Sequence, residues 1–162
     1  MSAFERKRNG KYAIRRQFSA DEVVSFAMEI VAQRFERGAC MNSPEATRRY
    51  LTLQLAGCPN EVFGCLFVDS QHRLIQNEEL FRGTIDTTAV YPRVVAQRAL
   101  QLNAAAAILY HNHPSGVPEP SAADRHITTQ LTQTLKLIDV RVLDHLVVAG
   151  TTAVSFAERG WL

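Results

Sequence analysis

His111-Asn112-His113-Pro114-Ser115-Gly116-Val117-Pro118-Glu119-Pro120-Ser121-Ala122-Ala123-Asp124 joins an apolar run to an amphipathic one. Residues 105–110 before it are small or apolar and read as a buried strand that delivers His111 at its end. Residues two apart in an extended segment face the same way, so His111 and His113 share a side. Asn112 points oppositely and reads as a loop-ordering group. Pro114 and Pro120 stiffen the return of the chain, which lowers the entropy lost in holding the loop. Ser121 then caps a helix with the stripe Ile127, Leu131, Leu135 and Ile138. Asp124 falls in its first turn, where the helix dipole favours a carboxylate.

The same periodicities extend outward. Residues 61–69 are nearly all apolar between their ends, as in a strand covered on both faces. A turn over 70–73 leads to an antiparallel partner over 74–81. Pro92 opens a helix to about residue 103, with Val94, Val95, Ala99 and Leu102 inward. Residues 140–148 and 153–156 supply the last strands. Towards the N-terminus, Ser43 and Pro44 start a helix that Gly57 and Pro59 close. Ser19 and Glu22 form a capping box for an earlier helix, with Val23, Phe26, Ala27, Ile30, Val31 and Phe35 on one face and Gly38 at its end. Helices alternating with strands on both sides of one sheet predict an α/β fold, a three-layer αβα sandwich with a mixed sheet. The organisation expected is a basic, flexible arm over 1–18, a leading helix and linker over 19–42, and the main domain over 43–162.

At 162 residues, with 46% hydrophobic and 21% charged content, the chain has the composition of one globular domain. A net charge of +2 is too small to make nucleic acid the expected partner. The basic excess is local: Arg6, Lys7, Arg8, Lys11, Arg15 and Arg16 face only Glu5, which suits a solvated terminus. Cys40, Cys58 and Cys65 make neither an even disulfide set nor a CxxC pair, and Cys65 belongs to the apolar run. With no signal-peptide core and no bilayer-length apolar stretch, the reduced cytoplasm is the expected compartment and no membrane the expected partner. No GxxxxGK[ST], GxGxxG or HExxH occurs, nor the H-x-E and P-C-x-x-C pair of zinc deaminases.

Two imidazoles and a carboxylate are the ligand set of a catalytic zinc site, which keeps a fourth position for water. Taken alone, Ser121-x-x-Asp124 is an ordinary helix cap, and His-x-His satisfies many a loop carbonyl. Four specified residues at these offsets recur by chance in under roughly one chain in a thousand of this length. The joint pattern therefore points to a metal.

H-x-H, seven residues, then S-x-x-D resembles the JAMM pattern of MPN/JAB-domain metalloproteases. The wider string HNHPSGVPEPSAAD, preceded by ELFRGTIDTTAVYPR and followed by LDHLVVAG and a terminal SFAERGWL, resembles the RadC-like branch from about Ser43 onward. The resemblance implies a cytidine-deaminase-like sandwich, one Zn2+ per chain held by His111, His113 and Asp124, and hydrolysis of a peptide or isopeptide amide in a peptide or protein substrate. The family's glutamate stands in an E-x-x-G-x-L context, here Glu61-Val62-Phe63-Gly64-Cys65-Leu66, and by carry-over Glu61 shuttles the proton. The residues alone do not choose it over Glu78, Glu79 or Glu119. Ser121 would donate to the oxyanion.

His145 sits in a strand, as a buttress for the site or, the preferred reading, a satisfied core histidine; His72 and His126 take no role. Longer RadC-like proteins carry an N-terminal helix-hairpin-helix segment. Only one convincing helix precedes Ser43, so the resemblance is to a short form. The rival function is a DNA-repair-associated accessory protein with a DNA-binding or scaffold role, which rests on the basic arm. Non-catalytic MPN scaffolds lose their ligands, whereas all five site residues are present here.

Overall fold

A computed structural model describes residues 4–7, 11–14, 17–34, 37–41, 43–83 and 89–162. It divides into two units, Met1–Gln33 and Arg34–Leu162. In the first, β1 (Phe4–Arg6) pairs antiparallel with β2 (Tyr12–Ile14), a ribbon inside the basic arm where the sequence marks no strand. Tyr12 meets Phe26 edge-on, at 5.1 Å between ring centroids, on α1 (Ala20–Arg34). Glu22 and Ser19 cap α1 reciprocally through their backbone N–H groups. Of the face predicted to be apolar, Val23 is half exposed, and Phe35 lies outside the described residues.

The second unit begins with α2 (Pro44–Leu55), whose cap Ser43 accepts from the Ala46 N–H. Next come β3 (Val62–Val68), β4 (Leu74–Arg82), α3 (Pro92–Gln101), β5 (Ala106–Asn112), α4 (Ala122–Lys136), β6 (Arg141–Ala149) and β7 (Thr152–Ser155). The five strands lie in the order β4-β3-β5-β6-β7. Tight turns make β3–β4 and β6–β7 antiparallel hairpins; β3–β5 is antiparallel too. The one parallel pair, β5–β6, is joined by α4, because a parallel return needs a crossover. The sheet is therefore mixed, as the pattern predicts.

Alternation along β3 and β5 divides the core. Val62, Leu66 and Val68 join Ala106, Ile108 and Tyr110 beneath Leu51 and Leu55 of α2. Phe63, Cys65 and Phe67 join Ala107 and Leu109 beneath Val95 and Ala99 of α3 and Leu131 and Leu135 of α4. Every residue of β3 and β5 is buried, since helices cover both faces. Val94, which the spacing predicts to face inward, is instead 38% exposed; Val95 and Ala99 fill the contact. No helix among the described residues is long and apolar enough to cross a membrane. The parity of β5 has one consequence for chemistry: His111 follows Ala107 and Leu109 onto the α4 side.

Candidate metal centre

His111 is buried at the end of β5, its ring parallel to Phe63 with centroids 6.2 Å apart. The His113 N–H donates to the Val148 carbonyl at 2.8 Å, which carries the pairing with β6 one residue past β5 and keeps His113 on the same side. The loop turns through Gly116, at φ 81°, whose N–H donates back to the His113 carbonyl. At the start of α4 the Ser121 hydroxyl accepts from the Asp124 N–H at 3.1 Å. Asp124 Oδ2 accepts from the Ser121 N–H at 2.6 Å and from its hydroxyl at 2.7 Å. This reciprocal cap orients the carboxylate.

The structure brings the three predicted ligands together. His111 Nε2 and His113 Nε2 are 2.9 Å apart. Asp124 Oδ1 is 3.3 Å from His111 Nε2, and Oδ2 is 3.4 Å from His113 Nε2. His113 Nδ1 sits 2.8 Å from the Val117 carbonyl. A carbonyl only accepts, so the hydrogen is on Nδ1 and Nε2 presents a lone pair. Lone pair and carboxylate thus crowd into a small volume that calls for positive charge.

In the metal-free state protons answer that demand. Its hydrogen bond to Asp124 raises His113 above 6.5; partial burial opposes this, and the Val117 bond and the charges of Asp124 and Glu61 reinforce it. Burial works to raise the Asp124 carboxyl, but its polar contacts with the His111 and His113 rings and the Ser121 hydroxyl outweigh it and hold the group far below the ordinary carboxylate range. The two nitrogens and an oxygen lie close enough together to hold one metal ion.

Glu61 immediately precedes β3. Phe63, opposite His111, is the first residue of β3 paired with β5, and Glu61 lies two residues before it, near enough for its charge to act on His113. Asn112, directed away from the ligands as the alternation predicts, fixes this backbone: its Oδ1 accepts from the Val62 N–H at 2.7 Å and its Nδ2 donates to the Asn60 carbonyl at 3.1 Å. The other glutamates weighed are engaged elsewhere, Glu78 with Arg98, Glu79 with Arg82 and Glu119 with Arg159. Ser121 stands beside Asp124 at the rim.

The sequence understates the support behind the ligands. His145 is fully buried and satisfied, as a core histidine should be, yet its partner is the site: its Nε2 lies 2.8 Å from His111 Nδ1. Its Nδ1 lies 2.6 Å from Thr128 Oγ1. Burial, reinforced by the neighbouring His111, holds His145 well below 6.5 and therefore neutral. Thr128 interrupts the buried stripe of α4 between Asp124 and Leu131, a legible signal that apolar pattern-matching passes over.

The C-terminal segment closes the back of the site. Phe156 stacks on His145, Trp161 stands edge-on to Phe156, and the Arg125 guanidinium lies 3.6 Å above the Trp161 ring. Arg159 holds Glu119 of the loop in a two-pronged ion pair. Asp144 accepts from the N–H groups of His145 and Ala157 and from the Ser155 hydroxyl, which ties this segment to β6. His72 lies elsewhere, beside Arg141, and His126 is exposed.

Residues 41–161 match the RadC-like JAB domain. A "UPF0758 protein" of Vibrio cholerae serotype O1 is 52% identical over 162 residues, the full length of both chains. A second from the same organism is 48% identical over 155 residues, 96% of this chain and 98% of that one. A longer "UPF0758 protein" of Methylibium petroleiphilum is 58% identical over 140 residues, 86% of this chain but 63% of its own length. The helix layers, the mixed sheet and the match over most of its length establish that the chain belongs to the RadC-like JAB-domain family.

Proposed function

We propose that this protein is a zinc-dependent amide hydrolase of the JAMM type, acting on a peptide or isopeptide bond of a peptide or protein substrate. The observation that carries the proposal is the convergence of His111 Nε2, His113 Nε2 and the Asp124 carboxylate. These three residues would hold one ion per chain. A zinc ion held there would supply Lewis-acid polarisation of an amide carbonyl and would lower the pKa of water towards about 7. Glu61 accepts the proton of the attacking water and returns it to the departing amine. Its position just before β3, with its charge acting on His113, supports that role. The Ser121 hydroxyl, which now donates to Asp124 Oδ2, turns its hydrogen to the oxyanion while its oxygen continues to cap α4. His113 stays oriented through Val117 and His111 through its Nδ1 partner, so neither ring needs to reorganise.

Elemental analysis joined to a peptide and isopeptide substrate screen tests this reading. Purified protein is expected to contain about one zinc per chain, and His113→Ala to lose it. Glu61→Gln is expected to keep zinc and lose activity about a hundredfold or more. Equal metal content in wild type and His113→Ala would remove the ligand assignment. An unchanged rate in Glu61→Gln would remove the proton shuttle.

A further inference from the structure

We propose that Thr128 and His145 are positioning residues that select the tautomer of His111 and so present its Nε2 lone pair to the metal position. The proposal rests on the reading of His111, His113 and Asp124 as a metal site, and it is argued from hydrogen-bond polarity. Thr128 Oγ1 lies 2.5 Å from the Asp124 backbone carbonyl. A carbonyl has no hydrogen to give, so the single hydroxyl hydrogen of Thr128 points there. His145 Nδ1, 2.6 Å from the same Oγ1, must bring its own hydrogen. A neutral imidazole carries one N–H, which leaves His145 Nε2 as an acceptor. His111 Nδ1, 2.8 Å from that nitrogen, is then the donor. With its hydrogen on Nδ1, His111 is bare at Nε2, the atom that faces His113 and Asp124.

The opposite polarity would place a hydrogen on His111 Nε2 and convert a ligand into a donor aimed at the ion. What forbids it is one backbone carbonyl, that of Asp124 itself. Asp124 therefore supplies its carboxylate to the centre and, through Thr128 on α4 and His145 on β6, its carbonyl governs the proton on β5. Thr128, His145 and His111 are 1%, 0% and 1% exposed, so no bulk water competes along the chain. A metal-bound histidine whose other nitrogen is held by a fixed acceptor is both oriented and made a better ligand.

Thr128→Val keeps the shape of the side chain and removes the hydroxyl; Thr128→Ser keeps the hydroxyl and removes the methyl. Long-range proton–nitrogen NMR of the chelator-treated full chain is expected to show His145 protonated at Nδ1 in the wild type and in Thr128→Ser. Thr128→Val is expected to lose that preference. Zinc titration against a competing chromophoric chelator should show Thr128→Val weakened about 10–100-fold and Thr128→Ser close to wild type. A packing role for Thr128 predicts the reverse order, Val tolerated and Ser harmful, and that result would overturn the proposal. So would a wild-type His145 protonated at Nε2, or Thr128→Val binding zinc as tightly as wild type. An Nδ1-protonated His145 in a protein that takes up no zinc would support the tautomer relay and overturn the zinc reading alone.

Discussion

Asp124 and His113 each answer the electrostatic demand of the other, and without metal their pairing belongs to the stability of the fold. His113 is raised above its ordinary 6.5 in the folded state. Its contribution is full below 6.5 and is lost as pH climbs through the raised value. Asp124 is depressed below its ordinary 3.8. Its contribution is present above 3.8 and is lost as pH falls through the depressed value. Chelator-treated protein should therefore gain most from the pair between about pH 4 and pH 6.5. Thermal unfolding across this range should show the gain in the wild type and not in Asp124→Asn; superimposable profiles would mean that the pair contributes nothing to the metal-free fold. The three ligand positions were visible in the residues because their spacing lies within one strand–loop–helix unit. Thr128 is legible there only as a polar residue on a buried stripe, and its role is not, because it acquires meaning only when a distant acceptor or donor meets it.

At the scale of elements, the β3–β5 pairing must admit the Tyr110 ring, and Gly64 is what makes room. Gly64 lies opposite Tyr110, and a Cβ there would overlap the phenol and come within 2.7 Å of the Glu78 carbonyl oxygen. The Tyr110 hydroxyl cannot simply retreat, since it donates to Asn77 at 2.8 Å, and Asn77 in turn donates to Tyr50 and Gln54. Gly64→Ala is expected to cost about 1–3 kcal/mol or more by overpacking, measured as a fall in the urea midpoint with an unchanged slope; a midpoint equal to wild type would contradict this packing. Alternation and caps place the eight elements of this unit to within about two residues, the usual uncertainty of element ends. They did not distinguish Val94 from Val95, because adjacent helix positions differ by only about a third of a turn and docking chooses between them.

The whole molecule concentrates its buried framework in Arg34–Leu162, where both core clusters and the candidate metal centre lie. A fragment comprising residues 34–162 is expected to unfold cooperatively and to bind zinc with the stoichiometry of the full chain. Circular dichroism and elemental analysis would check both; a fragment that neither folds nor binds metal would assign residues 1–33 a structural role. By itself, the amino-acid sequence determined where the strands and helices of Arg34–Leu162 begin, most of their apolar sides, and that two imidazoles and a carboxylate flank one loop. Those properties follow from local periodicity, proline and glycine geometry, and caps that act over three or four residues. Only the tertiary structure decided that the charge of Glu61 acts on His113, that Asn112 braces Val62 from 50 residues away, and that His145 stands behind His111 across a separation of 34. Strand register and helix docking make those contacts, and both are set by the packing of whole layers rather than by any short run of residues.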